Sequence, residues 1–382
     1  MSEAKLYIGI DICRDYSQIV CISEKFKEPQ SLGKDGPAES YLISTGSLDT
    51  ENLTKLLRNM LNLTRLTSPD DVIAYVGVTF EKMAPEKEES LKTSIKEAME
   101  ALGIKEDRLV VLPHNEALLS YVIHQKRTLW SGDTIVFEFR DEDLYSVRLQ
   151  INKKLKPMMA EIKETSFGDV LKTTDILKNP EAAAESFEGV AEKSVNVSNM
   201  VSCIYASGRG FESTFADNVL VKYATGRKVY KGQNLYAKGA CYVAKMKAEN
   251  EEQPVILLDP DMVPVSLRLK VYTDGKEQEI ELVAPMTPYE NAAISRDFIL
   301  DEADRLEFRT VDVRSDIKTK FDFWLNGLAS RPGRMTRIRL SLDFTNTYTC
   351  RMTAVDMGFG SYIKPVEADD GICHEWHTEI NI

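Results

Sequence analysis

Apolar and polar residues follow the same pattern in two distant stretches, Tyr7–Ile22 (YIGIDICRDYSQIVCI) and Thr134–Leu149 (TIVFEFRDEDLYSVRL). Aligned without a gap, Ile8 meets Ile135, Ile10 meets Phe137, Ile12 meets Phe139 and Val20 meets Val147. Each stretch reads as an apolar strand, a charged turn and a second strand, which predicts a β-hairpin. The alignment also sets Asp11 against Glu138, each in the middle of an apolar run. A carboxylate there costs several kcal/mol, roughly, unless something pairs with it. Two such hairpins facing each other would make a duplicated site for a charged ligand.

Between the hairpins the periodicity changes. Leu53, Leu56, Leu57, Met60, Leu61 and Leu63 are spaced for one face of a helix. Val72–Val78 reads as a buried strand, Ser90–Leu102 as an amphipathic helix stopped by Gly103, and Leu109–Leu112 as another strand. Asn115 is placed to cap a helix over Glu116–Gln125. Alternation of this kind predicts an α/β half. After the second hairpin come a helical stretch over roughly residues 166–200 and a strand over Met200–Tyr205. That strand leads into Ala206-Ser207-Gly208-Arg209-Gly210, helical residues from Phe211 to about Tyr223, and a small-residue helix around Gly239-Ala240. The charged run 248–254, ending in Pro254, reads as a linker. Beyond it Val265, Leu267, Leu269 and Val271 alternate, Asp274-Gly275 marks a tight turn, and Ile338, Leu340, Leu342 and Phe344 alternate again. The last stretch, about 130 residues, is expected to be antiparallel β.

Composition narrows the function. The chain has 382 residues, 43% of them hydrophobic, enough for two or three domains. A formal net charge of −12 with short basic runs argues against nucleic acid as a partner. No apolar run approaches the roughly 20 residues that span a bilayer, so no membrane is expected. The opening MSEAKLYIGID lacks a charged-then-apolar signal pattern, and a cytoplasmic protein is expected. The six cysteines are scattered without a C-x-x-C pair and read as reduced thiols.

The order of elements resembles the actin/sugar-kinase/heat-shock-chaperone superfamily, and within it the DnaK-type chaperones. Ile8–Ile22 and Ile135–Leu149 are similar to the family's two phosphate hairpins, and Asn115–Tyr121 to the helix ending its first half. Ile204–Phe211 (IYASGRGF) sits where the adenosine turn belongs, and Gly239-Ala240 where the family has its closing helix. Trp324–Leu328, Arg331-Pro332-Gly333 and Cys350–Gly358 are similar to the end of the chaperone's peptide-binding domain. The resemblance implies a duplicated actin-like ATPase fold with small lobes over residues 1–250, in halves of about 1–130 and 131–250. An antiparallel β-sandwich domain over 254–382 would follow. It also implies ATP or ADP with magnesium as cofactor.

The departures from that family bear on chemistry. A phosphate turn needs bare backbone. The first turn is Cys13-Arg14-Asp15-Tyr16 and the second Arg140-Asp141-Glu142-Asp143. Arg14 suits a phosphate; the acidic residues repel one. Only about 50 residues separate Ile151 from Cys203, too few for the family's large closing lobe. The resemblance implies Asp11 and Glu138 as the catalytic pair, positioning a metal or water; the alternative is that both are inherited scaffold carboxylates. The implied nucleotide-binding residues are Arg14, Ser207, Gly208, Arg209 and Gly210, with Arg209 stacking on a base; the alternative for the last four is an ordinary strand–helix turn.

Cys373-His374-Glu375 and His377 offer four metal-ligand types in five residues, but no second ligand pair accompanies them and no metal site is expected. His114 and His124 flank a helix and read as structural or surface residues, and Trp324 as a packing residue. The expected function is non-catalytic: a chaperone-like scaffold that binds a protein or peptide, with a nucleotide domain that does not hydrolyse. The alternatives are an active ATP-dependent chaperone-type ATPase and an actin-like assembly subunit.

Overall fold

The hairpin predicted over Tyr7–Ile22 forms as β1 (Lys5–Ile12) and β2 (Tyr16–Ile22), with every residue of both buried except Lys5. Strands covered on both faces need no alternation, which is why these two read as nearly continuous apolar runs. The computed structural model describes residues 4–14, 16–34, 36–38, 41–67, 71–155, 157–196, 200–232, 234–258, 261–273, 275–314, 317–327, 331–365 and 375–381. Two compact units emerge: residues 1–151 with 160–257, and residues 152–159 with 258–382.

In the first unit the chain continues through β3 (Gln30–Gly33), β4 (Gly36–Ala38), β5 (Ile43–Ser44), α1 (Thr50–Thr67), β6 (Val72–Phe80), α2 (Pro85–Ala101), β7 (Leu109–Pro113) and α3 (His114–Ile123). The second half runs β8 (Asp133–Arg140), β9 (Asp143–Asn152), β10 (Met158–Ser166), α4 (Thr173–Lys178), α5 (Pro180–Val195), β11 (Val201–Ser207), α6 (Asp217–Tyr223), β12 (Lys228–Lys231), α7 (Leu235–Glu249) and β13 (Val255–Leu258). Local signals set several helix ends. The Asp49 carboxylate accepts from Asn52 N–H to cap α1, and Asn179 accepts from Ala182 N–H with Pro180 opening α5.

Some boundaries differ from the sequence expectation. The helix expected over Glu116–Gln125 starts at His114, with Pro113 rather than Asn115 at its cap, because Pro113 already holds the extended geometry that precedes a first turn. The helical run expected from Phe211 is a 3-10 turn, Arg209–Glu212, followed by α6. The sequence predicts no strand at β3, β4 or β10, because QSLG, GPA and MMAEIKETS carry little apolar alternation. The charged run at 248–254 begins inside α7, which Asn250 ends in the left-handed region at φ 55°.

The two sheets of this unit share one strand order. The first runs β4-β3-β2-β1-β6-β7, with β5 paired to β2, and the second β13-β10-β9-β8-β11-β12. In each, the hairpin's first strand is central, antiparallel to its own partner and parallel to the next strand (β1 to β6, β8 to β11). The register matches too. Asp11 lies opposite Gln18 and Thr79, and Glu138 lies opposite Tyr145 and Ser207. The ungapped alignment of the two stretches therefore reproduces the strand pairing. Each sheet has its own apolar core, one around Ile8, Ile10, Leu57 and Phe80, the other around Phe137, Phe187 and Phe211.

Helix α7 belongs to the second half by sequence but packs on the first. A Cβ at Gly9 would stand 2.1 Å from Ala237 O, one at Gly77 2.2 Å from Ala240 O, and one at Gly239 1.9 Å from Ala117 O. These three glycines let the helix backbone touch β1, β6 and α3 directly.

The second unit contains β14 (Met262–Val263), β15 (Val265–Thr273), β16 (Lys276–Val283), β17 (Thr287–Pro288), β18 (Ile294–Leu300), β19 (Arg305–Asp312), β20 (Lys318–Trp324), β21 (Thr336–Asn346), β22 (Thr349–Asp356) and β23 (Glu375–Asn381). They form two four-stranded sheets, β16-β15-β19-β20 and β18-β21-β22-β23, besides the β14-β17 pair. All pairings within the two four-stranded sheets are antiparallel. Leu267, Leu269 and Phe308 from one sheet and Ile338, Leu340, Leu342 and Met352 from the other share a single core. Asp274 of the expected tight turn lies outside the described residues, as do Cys373 and His374 and the side chains of Glu375 and His377. No described helix is long and apolar enough to cross a membrane.

Candidate functional site

Asp11 and Glu138 are both buried, at 1% and 3% exposure, and a single chain of contacts joins them. Asp11 Oδ1 lies 2.7 Å from His114 Nε2. The His114 ring stacks on Tyr236, centroids 3.9 Å apart and planes 7° apart. The Tyr236 hydroxyl donates to Glu138 Oε2 at 2.6 Å. Each participant is fixed by its element: the carboxylates by matching registers in β1 and β8, His114 by the first turn of α3, and Tyr236 by the first turn of α7, which the glycine contacts hold close. Burial and the Glu138 carboxylate push the Tyr236 phenol well above its ordinary range. It therefore stays a neutral donor.

Around Glu138 the charges are paired. Arg140 Nη2 stands 3.2 Å from Glu138 Oε2, and Arg140 Nη1 lies 2.7 Å from Glu164 Oε2. Arg140 Nε approaches Glu81 Oε1 at 4.0 Å, and the guanidinium lies over the Tyr145 ring at 4.9 Å. Burial pulls against the charged guanidinium, but Glu138 and Glu164 outweigh it and hold Arg140 above its usual value. Glu81 is raised by burial, with Arg140 opposing the shift.

The two hairpin turns touch. Arg14 Nη1 donates to Asp141 Oδ2 at 2.9 Å, and Arg14 Nε lies 3.9 Å from Glu81 Oε2. Asp141 sits in the left-handed region at φ 51°. Asp15 lies outside the described residues. The third element is the turn after β11. Ser207 is buried, and Arg209 is exposed with its guanidinium 5.6 Å from the Tyr16 ring centre. Gly208, at φ +89°, and Gly210 lie against Phe139: added Cβ atoms would stand 2.2 Å from Phe139 O and 2.4 Å from its ring. The seven candidate catalytic and nucleotide-binding residues thus lie on the two hairpins, at the end of β11 or on the turn that follows it, and Arg209 reaches the first hairpin.

Nothing in the sequence marks Glu81, Glu164 or Tyr236, and the place of His114 beside a helix predicts a structural or surface residue rather than a partner of Asp11. Apart from Glu81, which directly follows the strand ending at Phe80, these residues carry no motif; their roles follow from tertiary placement. Close beside Asp11, the Cys13 thiol donates to Asp11 Oδ2 at 3.5 Å. Burial and the nearby carboxylates of Asp11, Glu138 and Glu81 raise it well above the ordinary thiol range.

Two family models match the chain. The model described as "Family of unknown function (DUF5716) C-terminal" covers residues 38–260, and that of "Domain of unknown function (DUF8552)" covers residues 262–375. No curated protein matches. Among solved structures, component A of (R)-2-hydroxyglutaryl-CoA dehydratase from Acidaminococcus fermentans is 12% identical, with TM-score 0.41, covering 64% of this chain and 99% of that one. The activator of 2-hydroxyisocaproyl-CoA dehydratase from Clostridium difficile, with bound ADPNP, is 11% identical, with TM-score 0.38, covering 64% and 96%. A 15-stranded ParM filament from Clostridium botulinum is 10% identical, with TM-score 0.39, covering 64% and 100%.

Proposed function

The chain belongs to the DUF5716 family of unknown function, and we propose that it is a non-hydrolysing, protein-binding scaffold built on a duplicated actin-like core and a β-sandwich domain. The shared strand order of the two sheets in the first unit supports the duplication. The common core of two antiparallel sheets in the second unit supports the sandwich.

One observation carries the loss of hydrolysis. The turns that would receive phosphate are tied to each other by Arg14, and Arg140 ties the second to the buried Glu138 and to Glu164. A triphosphate would have to displace those pairs and sit beside Asp141 and Glu142, where no glycine bares the backbone. Phe139 takes up the approach that Gly208 and Gly210 leave open. The scaffold's partner would be a protein segment added as a strand to β18, an edge strand whose Ile299 is 58% exposed.

Calorimetric titration of the full chain with Mg-ATP, beside a phosphate-release assay, tests this reading. No heat and no release are expected. Binding with steady release, lost in Asp11→Ala, overturns it in favour of an ATPase. That second reading has its own support: Asp11 and Glu138 occupy equivalent registers and are linked through His114 and Tyr236. In it the two carboxylates position magnesium and water.

A further inference from the structure

The thiol, carboxylate and imidazole of Cys13, Asp11 and His114 each offer a ligand atom, and these atoms all lie within 4.8 Å of one another. We propose that they form a site for a borderline-soft divalent cation, zinc above all, with an open coordination position. This goes beyond the scaffold reading and stands or falls separately from it.

The donor set suits zinc. A carboxylate alone selects hard ions such as magnesium and calcium, whereas a thiolate with an imidazole selects zinc and its neighbours. Spacing comes within one rearrangement of that chemistry. A tetrahedral ion with bonds of about 2.0 Å to nitrogen and oxygen and about 2.3 Å to sulfur has N–O edges of about 3.3 Å and S–O edges of about 3.5 Å. Cys13 Sγ stands 3.5 Å from Asp11 Oδ2, and His114 Nε2 stands 2.7 Å from Asp11 Oδ1. The Cys13 contact matches an S–O edge on Oδ2; His114 now bonds the other oxygen, Oδ1, and must leave that bond to share an ion held by Oδ2.

An independent observation points to the same place. Gln18 and Thr79 are the residues directly opposite Asp11 in the neighbouring strands, so their side chains share its face of the sheet. They are buried at 2% and 0% exposure, yet Gln18 Nε2, Gln18 Oε1 and Thr79 Oγ1 make no hydrogen bond, and neither does His114 Nδ1. Buried polar atoms rarely go without partners. Three of them belong to the residues flanking Asp11 and the fourth to its imidazole partner, which marks polar capacity beside this carboxylate that the chain's own side chains leave unused. A water held on the ion's open position would supply partners for the Gln18 amide and the Thr79 hydroxyl.

The test uses full-length protein freed of metal with a chelator and titrated with Co²⁺, whose bond to thiolate absorbs in the near ultraviolet. The expected result is a charge-transfer band saturating at one equivalent. One equivalent of Zn²⁺ should remove the band, Cys13→Ser should abolish it, and Cys350→Ser should leave it intact. A folded wild-type chain with no band overturns the site. So does a band that survives Cys13→Ser, whether or not Cys373→Ser removes it. Should Cys13→Ser fail to fold, alkylation of wild type mapped by mass spectrometry decides: Zn²⁺ at about ten times its Kd should slow labelling of Cys13 about tenfold, and an unchanged rate overturns the site.

Discussion

The His114 imidazole lies flat on the Tyr236 phenol, 3.9 Å between centroids, and through this stack the two aligned carboxylates share one network. Tyr236→Phe keeps the stack and removes only the hydrogen bond to Glu138. A buried carboxylate that loses a donor costs about 1–3 kcal/mol. Urea unfolding should show a loss of that size, and a loss near zero would mean that Arg140 alone satisfies Glu138.

The two arginines of the hairpin mouth should behave differently. Arg14 is 61% exposed, so Arg14→Ala should change stability by less than about 1 kcal/mol. Arg140 is 11% exposed and faces Glu138 and Glu164. Arg140→Ala strands buried charge and should cost about 3–5 kcal/mol. Parallel denaturant melts of the two variants check the contrast.

Glycines offer a sharper test. At Gly239 a new methyl would meet Ala117 O at 1.9 Å, while at Gly189, inside α5, it would meet nothing within 4 Å. Gly239→Ala should therefore destabilise by about 1–3 kcal/mol or more. Gly189→Ala should stabilise by about 0.5–1 kcal/mol, because the helix interior no longer pays glycine's entropy. Thermal melts should move in opposite directions.

His124 gives a pH dependence. Burial lowers its pKa, outweighing its bond to Ser120 O at 2.7 Å and the pull of Glu251, while Lys245 lowers it further; its ring also stacks on Tyr242 at 4.2 Å. The unfolded chain then binds the proton more readily than the folded one. Stability should fall as pH drops through the ordinary histidine value near 6.5 and level off below the folded value. In His124→Gln this part of the pH–stability curve should flatten.

The proposed docking edge is tested by charge. Ile299→Lys places an ammonium on the exposed face of β18, next to core-packed Phe298 and Leu300. Fluorescence anisotropy with a labelled unfolded peptide should show about tenfold weaker binding, or roughly 1.4 kcal/mol. Unchanged affinity would remove β18 from the interface.

The hairpins were legible in the sequence because strand period and register are local. The gapless match of Asp11 with Glu138 carried over to Gln18 with Tyr145, residue for residue. The partners of those carboxylates were not legible. His114 lies 103 positions from Asp11 and Tyr236 lies 98 from Glu138, and no periodicity encodes a stack between the starts of two helices. The glycine turn was visible, yet its use was ambiguous. A bare backbone at Gly208 and Gly210 serves close approach by Phe139 as well as by a ligand, and both uses leave the same letters in the sequence.

The seam of Gly9, Gly77 and Gly239 has a consequence for synthesis. Strands β1 and β6 and helix α3 leave the ribosome long before α7, which ends at Glu249. Until then Tyr7, Val20 and Ile22 lack the Ala237 and Cys241 they pack against. The N-terminal half emerges with one apolar face open, and a nascent chain cut near residue 130 should be sticky and insoluble. Rejoining that face is the work of a helix made more than 100 residues later, so the first half of the first unit reaches its final state only when the second is nearly complete.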